Sequence, residues 1–405
     1  MTHFRFIFFA LGGWFGGLSA VLTSSTLTVW LKDTGLNYTE IGIFSLLHLP
    51  LALKFVWSPL LSKYRPPLVP PHISSHRGWM MWGQLLAIGG LALLALLSPT
   101  QHLLLYGWVV LVIILATTVQ DITMLALQRH TVPDTMLGHS EAVGIMGFRL
   151  GMLMAGAGAL ALADYLSWNA VYGMMALVLF VTFLACIKAP VACHPPHPSI
   201  QRPILEALHS FKQQKKWLII LTLMVLYRVP DALMQGYGTL FYLFAGYSKT
   251  SVAFAGKMVG MGATIMGGFM GGYLVQRWGF LKTLRHVAWI HGLSFLALFL
   301  LLTDHPPLYY LYITSAAYHL TAGMAITGFF AYQIRVTEPK HALTQLAIIT
   351  SLTQVAGLLL NPLGGLIIDY AGWSIFIAIL CISWIPGYVV TLYLPLPQKF
   401  PQQTL

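Results

Sequence analysis

Long apolar blocks recur along the whole chain, separated by short stretches rich in Pro, Gly and charge. They are too long for buried strands and lack period-two alternation, so they read as helices. At about 20 mainly apolar residues per membrane crossing, the pattern predicts spans at 5–30, 39–61, 79–98, 103–128, 142–163, 168–187, 217–245, 251–276, 286–302, 308–334, 342–368 and 373–395. Twelve spans without ten-residue alternating segments favour a helical bundle over an outer-membrane barrel. The first block is too long for the core of a cleaved signal and is expected to remain as a helix.

The longest polar connection, KAPVACHPPHPSIQRPILEALHSFKQQKKW, divides the chain into two halves of six spans. The predicted organisation is an N-terminal six-helix bundle (1–190), a linker (191–216) and a C-terminal six-helix bundle (217–405). The halves echo each other, since ALADYLSW closes the fifth span and LIIDYAGW closes the eleventh. A shared Asp-Tyr-x-x-Trp at equivalent helix ends is what a parallel duplication leaves behind.

Composition agrees: 57% of the 405 residues are hydrophobic and only 8% charged, which excludes a soluble globule with a polar surface. The net charge of +11 raises the question of nucleic acid, and its distribution answers it. With the N-terminus inside, sixteen cations fall on inner segments and only Lys32 and Lys249 outside. That is the positive-inside bias of a multi-pass protein with both termini cytoplasmic, and it removes the support for a nucleic-acid partner. Cys186, Cys193 and Cys381 lie far apart, without disulfide, redox or metal spacing. Neither a metal nor a cofactor is expected.

Six charges are left inside the predicted helices: Lys54, Arg149, Arg228, Lys257, Asp121 and Asp231. At about 2.5–3.5 kcal/mol each near the bilayer centre they would cost about 15–20 kcal/mol unpaired, so they must face one another or a wet cavity. Arg228 and Asp231 stand one helical step apart in LYRVPDALMQGYG, with Pro230 between them as a helix breaker. Two readings stand for Arg228: a local neutral pair, or a guanidinium that takes a substrate carboxylate or phosphate. For Arg149, neutralisation by Asp121 and a substrate clamp are both open, while the glycines around it suit close helix packing. Lys54 lies near enough to a helix end to snorkel, and Lys257 has a comparable escape. Asp121 is either a structural counter-charge or a proton site switched by the position of a neighbouring cation. His48, His291 and His319 lie in apolar surroundings and read as satisfied core histidines rather than a relay.

Several stretches go beyond composition. LTSSTLTVWL, LKFVWSPLLSKYRPP, RGWMMWGQLL, QDI, FRLGMLMAGAGALALADYLSW, LTLMVLYRVPDALMQGYGTLF and GGLIIDYAGWSIF, in this order over most of the chain, resemble the AmpG muropeptide permease family. These are inner-membrane major facilitators of Gram-negative bacteria that import anhydromuropeptides. The resemblance implies an all-α membrane protein with the major facilitator fold, twelve transmembrane helices in two six-helix halves, and proton-coupled import by alternating access. It places Asp121 and Asp231 on the family's acidic positions, as proton-coupling candidates. Arg149 and Arg228 fall on its basic positions as substrate-binding candidates, with Gln120, Tyr227, Gln235 and Lys257 completing that set. Departures from the family pattern are Ser62 where the loop after the second span usually carries an acid, and Leu125 and Gln128 where a second acid and a basic residue follow QDI. Many members also continue for two further spans. A siderophore importer of the same superfamily is therefore the alternative, ahead of an acetyl-CoA-type carrier.

Two other classes fare worse. A membrane-embedded enzyme needs a nucleophile, base or metal set gathered at one face, and none is visible in the sequence. A transporter-derived sensor needs a signalling appendage, for which the termini are short. The expected partners are a polar, anionic small molecule, protons and membrane lipid, with the chain acting as a monomer.

Overall fold

The computed structural model describes residues 2–54, 56–57, 61, 64–70, 73–132, 137–188, 203–214, 216–337 and 342–394. Every regular element among them is helical, as buried backbone in hydrocarbon requires. Helical segments lie at all twelve expected positions. Among the described residues eight stretches are long and apolar enough to cross a membrane, and one of them, Ile348–Tyr393, runs through both the eleventh and twelfth positions. There Gly372, at φ 79°, turns the chain between the two helices, a conformation open to glycine because it has no Cβ. The second helix departs from expectation. It is assembled from Tyr38–Ser45, Leu46–His48 and Leu49–Ala52, with Pro50 unable to donate to the ladder.

The chain forms two compact units, Met1–Asn37 with Ile43–Ser199, and Tyr38–Gly42 with Ile200–Leu405. In the first, the opening helix (Thr2–Leu22, continued by Ser25–Asp33) packs along the fifth (Leu137–Leu153). Their backbones touch: a Cβ on Gly17 would run into the carbonyl of Phe148, and one on Gly147 into that of Ala10. Small residues permit this approach, and van der Waals contact then holds the helices together.

Each unit has the same two devices. The fifth helix contains a π-turn at Met154–Gly158, and the eighth contains one at Phe254–Val259. A π-turn frees backbone carbonyls from the i→i−4 pattern. In the first unit Thr26 donates its hydroxyl to the carbonyl of Ala155 at 2.7 Å, and in the second Ser315 donates to that of Ala255 at 2.8 Å. The duplicated tryptophans also behave alike. Trp168 stacks on Trp30 and donates to Asp33 at the end of the first helix, and Trp373 packs on Phe241 and Phe244 at the end of the seventh.

Residues 191–202 of the expected linker lie outside the described residues, and the rest includes a helix, Pro203–Lys212. Its Phe211 is buried in the core of the second unit beside Leu223, Tyr332 and Val336. Ser62 also lies outside the described residues. Around it, Trp79 and Trp82 donate to the carbonyls of Tyr64 and Pro67, and Arg65 to those of Pro70 and Ile73.

Candidate functional site

The second unit carries the denser charge cluster. The seventh helix is interrupted between Trp217–Leu226 and Val229–Phe244, because Pro230 has no N–H for the preceding turn. Arg228 caps the second segment, and Asp231 sits in its first turn, where a carboxylate also favours the helix dipole. Arg228 Nη1 donates to Asp231 Oδ2 at 2.9 Å. The carboxylate is almost fully buried, while the guanidinium side chain keeps 20% of its surface.

The other carboxylate oxygen faces the ninth and tenth helices. His291 Nε2 lies 3.2 Å from Asp231 Oδ1, off the line of a well-formed hydrogen bond, and Tyr318 Oη donates to the same oxygen at 3.5 Å. On the far side of the ring, His291 Nδ1 is 2.9 Å from Thr321 Oγ1. Phe295 and Tyr318 close around the imidazole. Asp231 thus touches one permanent cation, one titratable ring and one phenol.

His291, expected as a satisfied core histidine, is buried beside Thr321 and Asp231. Its partner is sixty residues away on another helix, and the only signal in the sequence is an imidazole in an apolar span. Tyr227, a substrate-binding candidate in the sequence, lies in the helix packing. It is buried, donates to the carbonyl of Leu284 at 3.2 Å and stacks on Phe329. Gln235, one turn beyond Asp231, is exposed. The side chain of Lys257 lies outside the described residues.

In the first unit Asp121 lies half-buried on the fourth helix (Leu103–Thr131). Gly16 leaves it room: a Cβ there would stand 3.3 Å from Asp121 Oδ1 and 3.6 Å from the Phe148 ring. Gln120, buried, donates Nε2 to the carbonyl of Gly12 at 3.0 Å, and its Oε1 has no partner among the described residues. The expected pairing of Asp121 with Arg149 is not formed. Phe148 occupies the face toward Gly16, and Arg149 is turned from it by about 100° around the helix. Arg149 is exposed, and the cation whose charge acts on Asp121 is Lys54. Leu125 is exposed, and Gln128 is buried and donates to Ser140 Oγ at 2.9 Å. Gln128 and Ser140 thus form a neutral amide–hydroxyl pair at this level of the fourth helix.

Charges inside long apolar helices in two similarly built units mark a multi-pass membrane protein with a polar path, a transporter of the major facilitator type. The family model of the Major Facilitator Superfamily matches residues 9–304. The chain is 32% identical to the "Putative transporter AmpG 2" of Rickettsia bellii over 94% of each protein. It is 30% identical to the "Anhydromuropeptide permease" of Escherichia coli K12, over 94% of this chain and 77% of that one. Among solved structures, the nucleoside transporter NupG superposes with TM-score 0.73 at 13% identity, covering 96% of this chain and 99% of its own. The D-xylose-proton symporter superposes with TM-score 0.70 at 11% identity, covering 97% of each. At that identity the structures speak for the fold alone. The chain belongs to the AmpG-like transporters of the major facilitator superfamily.

Proposed function

We propose that this chain is a proton-driven importer of anhydromuropeptides in the bacterial inner membrane, with both termini in the cytoplasm. The observation that carries the substrate is the 30% identity to the anhydromuropeptide permease across 94% of the chain. The inward excess of Lys and Arg supports the orientation. A single chain is the transport unit, with residues 1–190 and 217–405 as the two halves that alternate access and 191–216 as the link.

Asp121 and Asp231 are assigned to proton coupling. Both sit in helices that few charges enter, and each has a cation able to respond to its protonation. Arg228 and Arg149 are assigned to the anionic groups of the substrate, because a guanidinium matches a carboxylate with two parallel hydrogen bonds. The exposed Arg149 has no ion pair among the described residues to break, whereas Arg228 must exchange Asp231 for the substrate. Gln235 and Gln120 add amide contacts, and Lys257 adds a further cation in the eighth helix.

Uptake into proteoliposomes under an imposed pH gradient tests the reading, with a labelled anhydromuropeptide and a ferric siderophore compared side by side. Accumulation of the muropeptide is expected, with collapse when the gradient is dissipated. Entry of the siderophore with no entry of the muropeptide would overturn the substrate assignment.

A further inference from the structure

The hydrogen bonds around His291 make more than a buried ion pair. Thr321 has one hydroxyl proton and four groups within reach: the carbonyls of Ala317 (2.9 Å) and Tyr318 (3.0 Å), Ser294 Oγ (3.1 Å) and His291 Nδ1 (2.9 Å). Ser294 directs its own proton to the carbonyl of His291 at 2.7 Å. When Thr321 donates to a carbonyl of its own helix, its oxygen accepts from Nδ1–H. A neutral ring then turns a bare Nε2 lone pair toward Asp231 Oδ1, 3.2 Å away. Two buried acceptors 3.2 Å apart repel each other, which favours uptake of a proton between them. When Thr321 instead donates to Nδ1, the neutral ring carries its proton on Nε2, and the anionic carboxylate accepts it with no added proton.

We propose that the proton bound by this half of the transporter is shared by His291 Nε2 and Asp231 Oδ1, and that Thr321 is the positioning residue that sets which ring nitrogen meets the carboxylate. The inference rests on the proton coupling proposed above and extends it from one acid to a two-residue site. With Arg228 on Oδ2, the added proton sits on the ring as imidazolium against an anionic carboxylate. When an anionic substrate group draws Arg228 away, the proton moves from Nε2 to Oδ1, leaving a neutral ring and a neutral acid. One N–H bond breaks, one O–H bond forms, and the charge that departs with Arg228 is matched by the substrate's own.

Among the described residues, the following groups face this site. Arg228 and Tyr227 act on Asp231 from its own helix, and Tyr318 from the tenth. Tyr242 acts on Tyr318. Phe295 and Thr321 complete the surround of the ring.

The test uses the full chain in phosphatidylethanolamine–phosphatidylglycerol vesicles, without substrate, and follows the protonated-carboxyl stretch by infrared spectroscopy as pH is varied. An Asp121→Asn background removes the other intramembrane acid. Without substrate the added proton sits on the ring, so the expected result is an imidazolium nitrogen-15 shift for His291 together with a carboxyl band, lost in Asp231→Asn, that titrates at lower pH. Its midpoint should move by about one pH unit in His291→Gln, a tenfold change in proton affinity, and in the same direction by a smaller amount in Thr321→Val, while Thr321→Ser titrates like the parent. A full set of carboxyl bands surviving in Asp231→Asn, or a midpoint unmoved in His291→Gln, overturns the proposal. If His291→Gln does not yield folded protein, His291→Asn and the nitrogen-15 shifts of His291 in the parent decide the same question, since a ring that never protonates sinks the idea. No substrate enters this experiment, so a protein that fails to import muropeptide would overturn the substrate while leaving the proton site standing.

Discussion

Arg228 and Asp231 meet at 2.9 Å across the first turn after the break in the seventh helix, and the carboxylate is the more deeply buried of the two. Removing one partner of a buried pair costs about 3–5 kcal/mol, because the other charge stays behind. Arg228→Ala should therefore lower thermal stability in detergent sharply. Asp231→Asn should cost less, since the amide still hydrogen-bonds and the partly exposed Arg228 keeps access to water. The double variant should be less destabilised than the sum of the singles. Strict additivity in that cycle would mean that the two side chains do not act as a pair.

Lys54 and Arg149 divide roles that the sequence left open. Lys54 is the cation acting on Asp121, and Arg149 is exposed with no described partner. Lys54→Gln should move the pH dependence of uptake, since it changes the electrostatics of Asp121. Arg149→Gln should raise KM with kcat nearly unchanged, the mark of lost substrate binding. Asp121→Asn should abolish gradient-driven accumulation while leaving exchange. Uphill uptake unchanged in Asp121→Asn would make that acid structural, and a pH profile moved by Arg149→Gln but not by Lys54→Gln would reverse the division.

The two π-turns depend on hydroxyls from neighbouring helices. Thr26→Val leaves the carbonyl of Ala155 buried without its donor, and Ser315→Ala does the same to Ala255. An unsatisfied buried group costs about 1–3 kcal/mol. Each variant should melt lower by that amount, and Thr26→Ser should restore most of the loss. Melting equal to the parent in both would show that the freed carbonyls find other donors.

Residues close in the chain were the ones the sequence made legible. Arg228 and Asp231 share a face at a spacing of three, Pro230 between them foretold the break, and the apolar runs located the helices because a bilayer demands them. Contacts between helices depend on rotation and register, which periodicity does not determine. Asp121 was matched to Arg149 by charge alone, and Phe148 occupies the face that would have joined them. His291 reads as one more polar residue in an apolar helix until the fold places Asp231 beside it. Thr26 and Ser315 carried no signal, because the π-turns they satisfy leave no periodic mark.

Gly17 and Gly89 separate close approach from mere helix composition. Both are helical, yet a Cβ on Gly17 would collide with the carbonyl of Phe148, whereas one on Gly89 meets nothing within 4 Å. Alanine at an open helical site is favoured over glycine by up to about 1 kcal/mol, so Gly89→Ala should be neutral or mildly stabilising. At Gly17 the same methyl meets backbone, which cannot rotate away as a side chain does. Forcing atoms into a packed contact costs about 1–3 kcal/mol, so Gly17→Ala should reduce both the yield of monodisperse protein on size exclusion and its melting temperature. If the two variants behave alike, the first and fifth helices do not approach as closely as the contact between Gly17 and Phe148 requires.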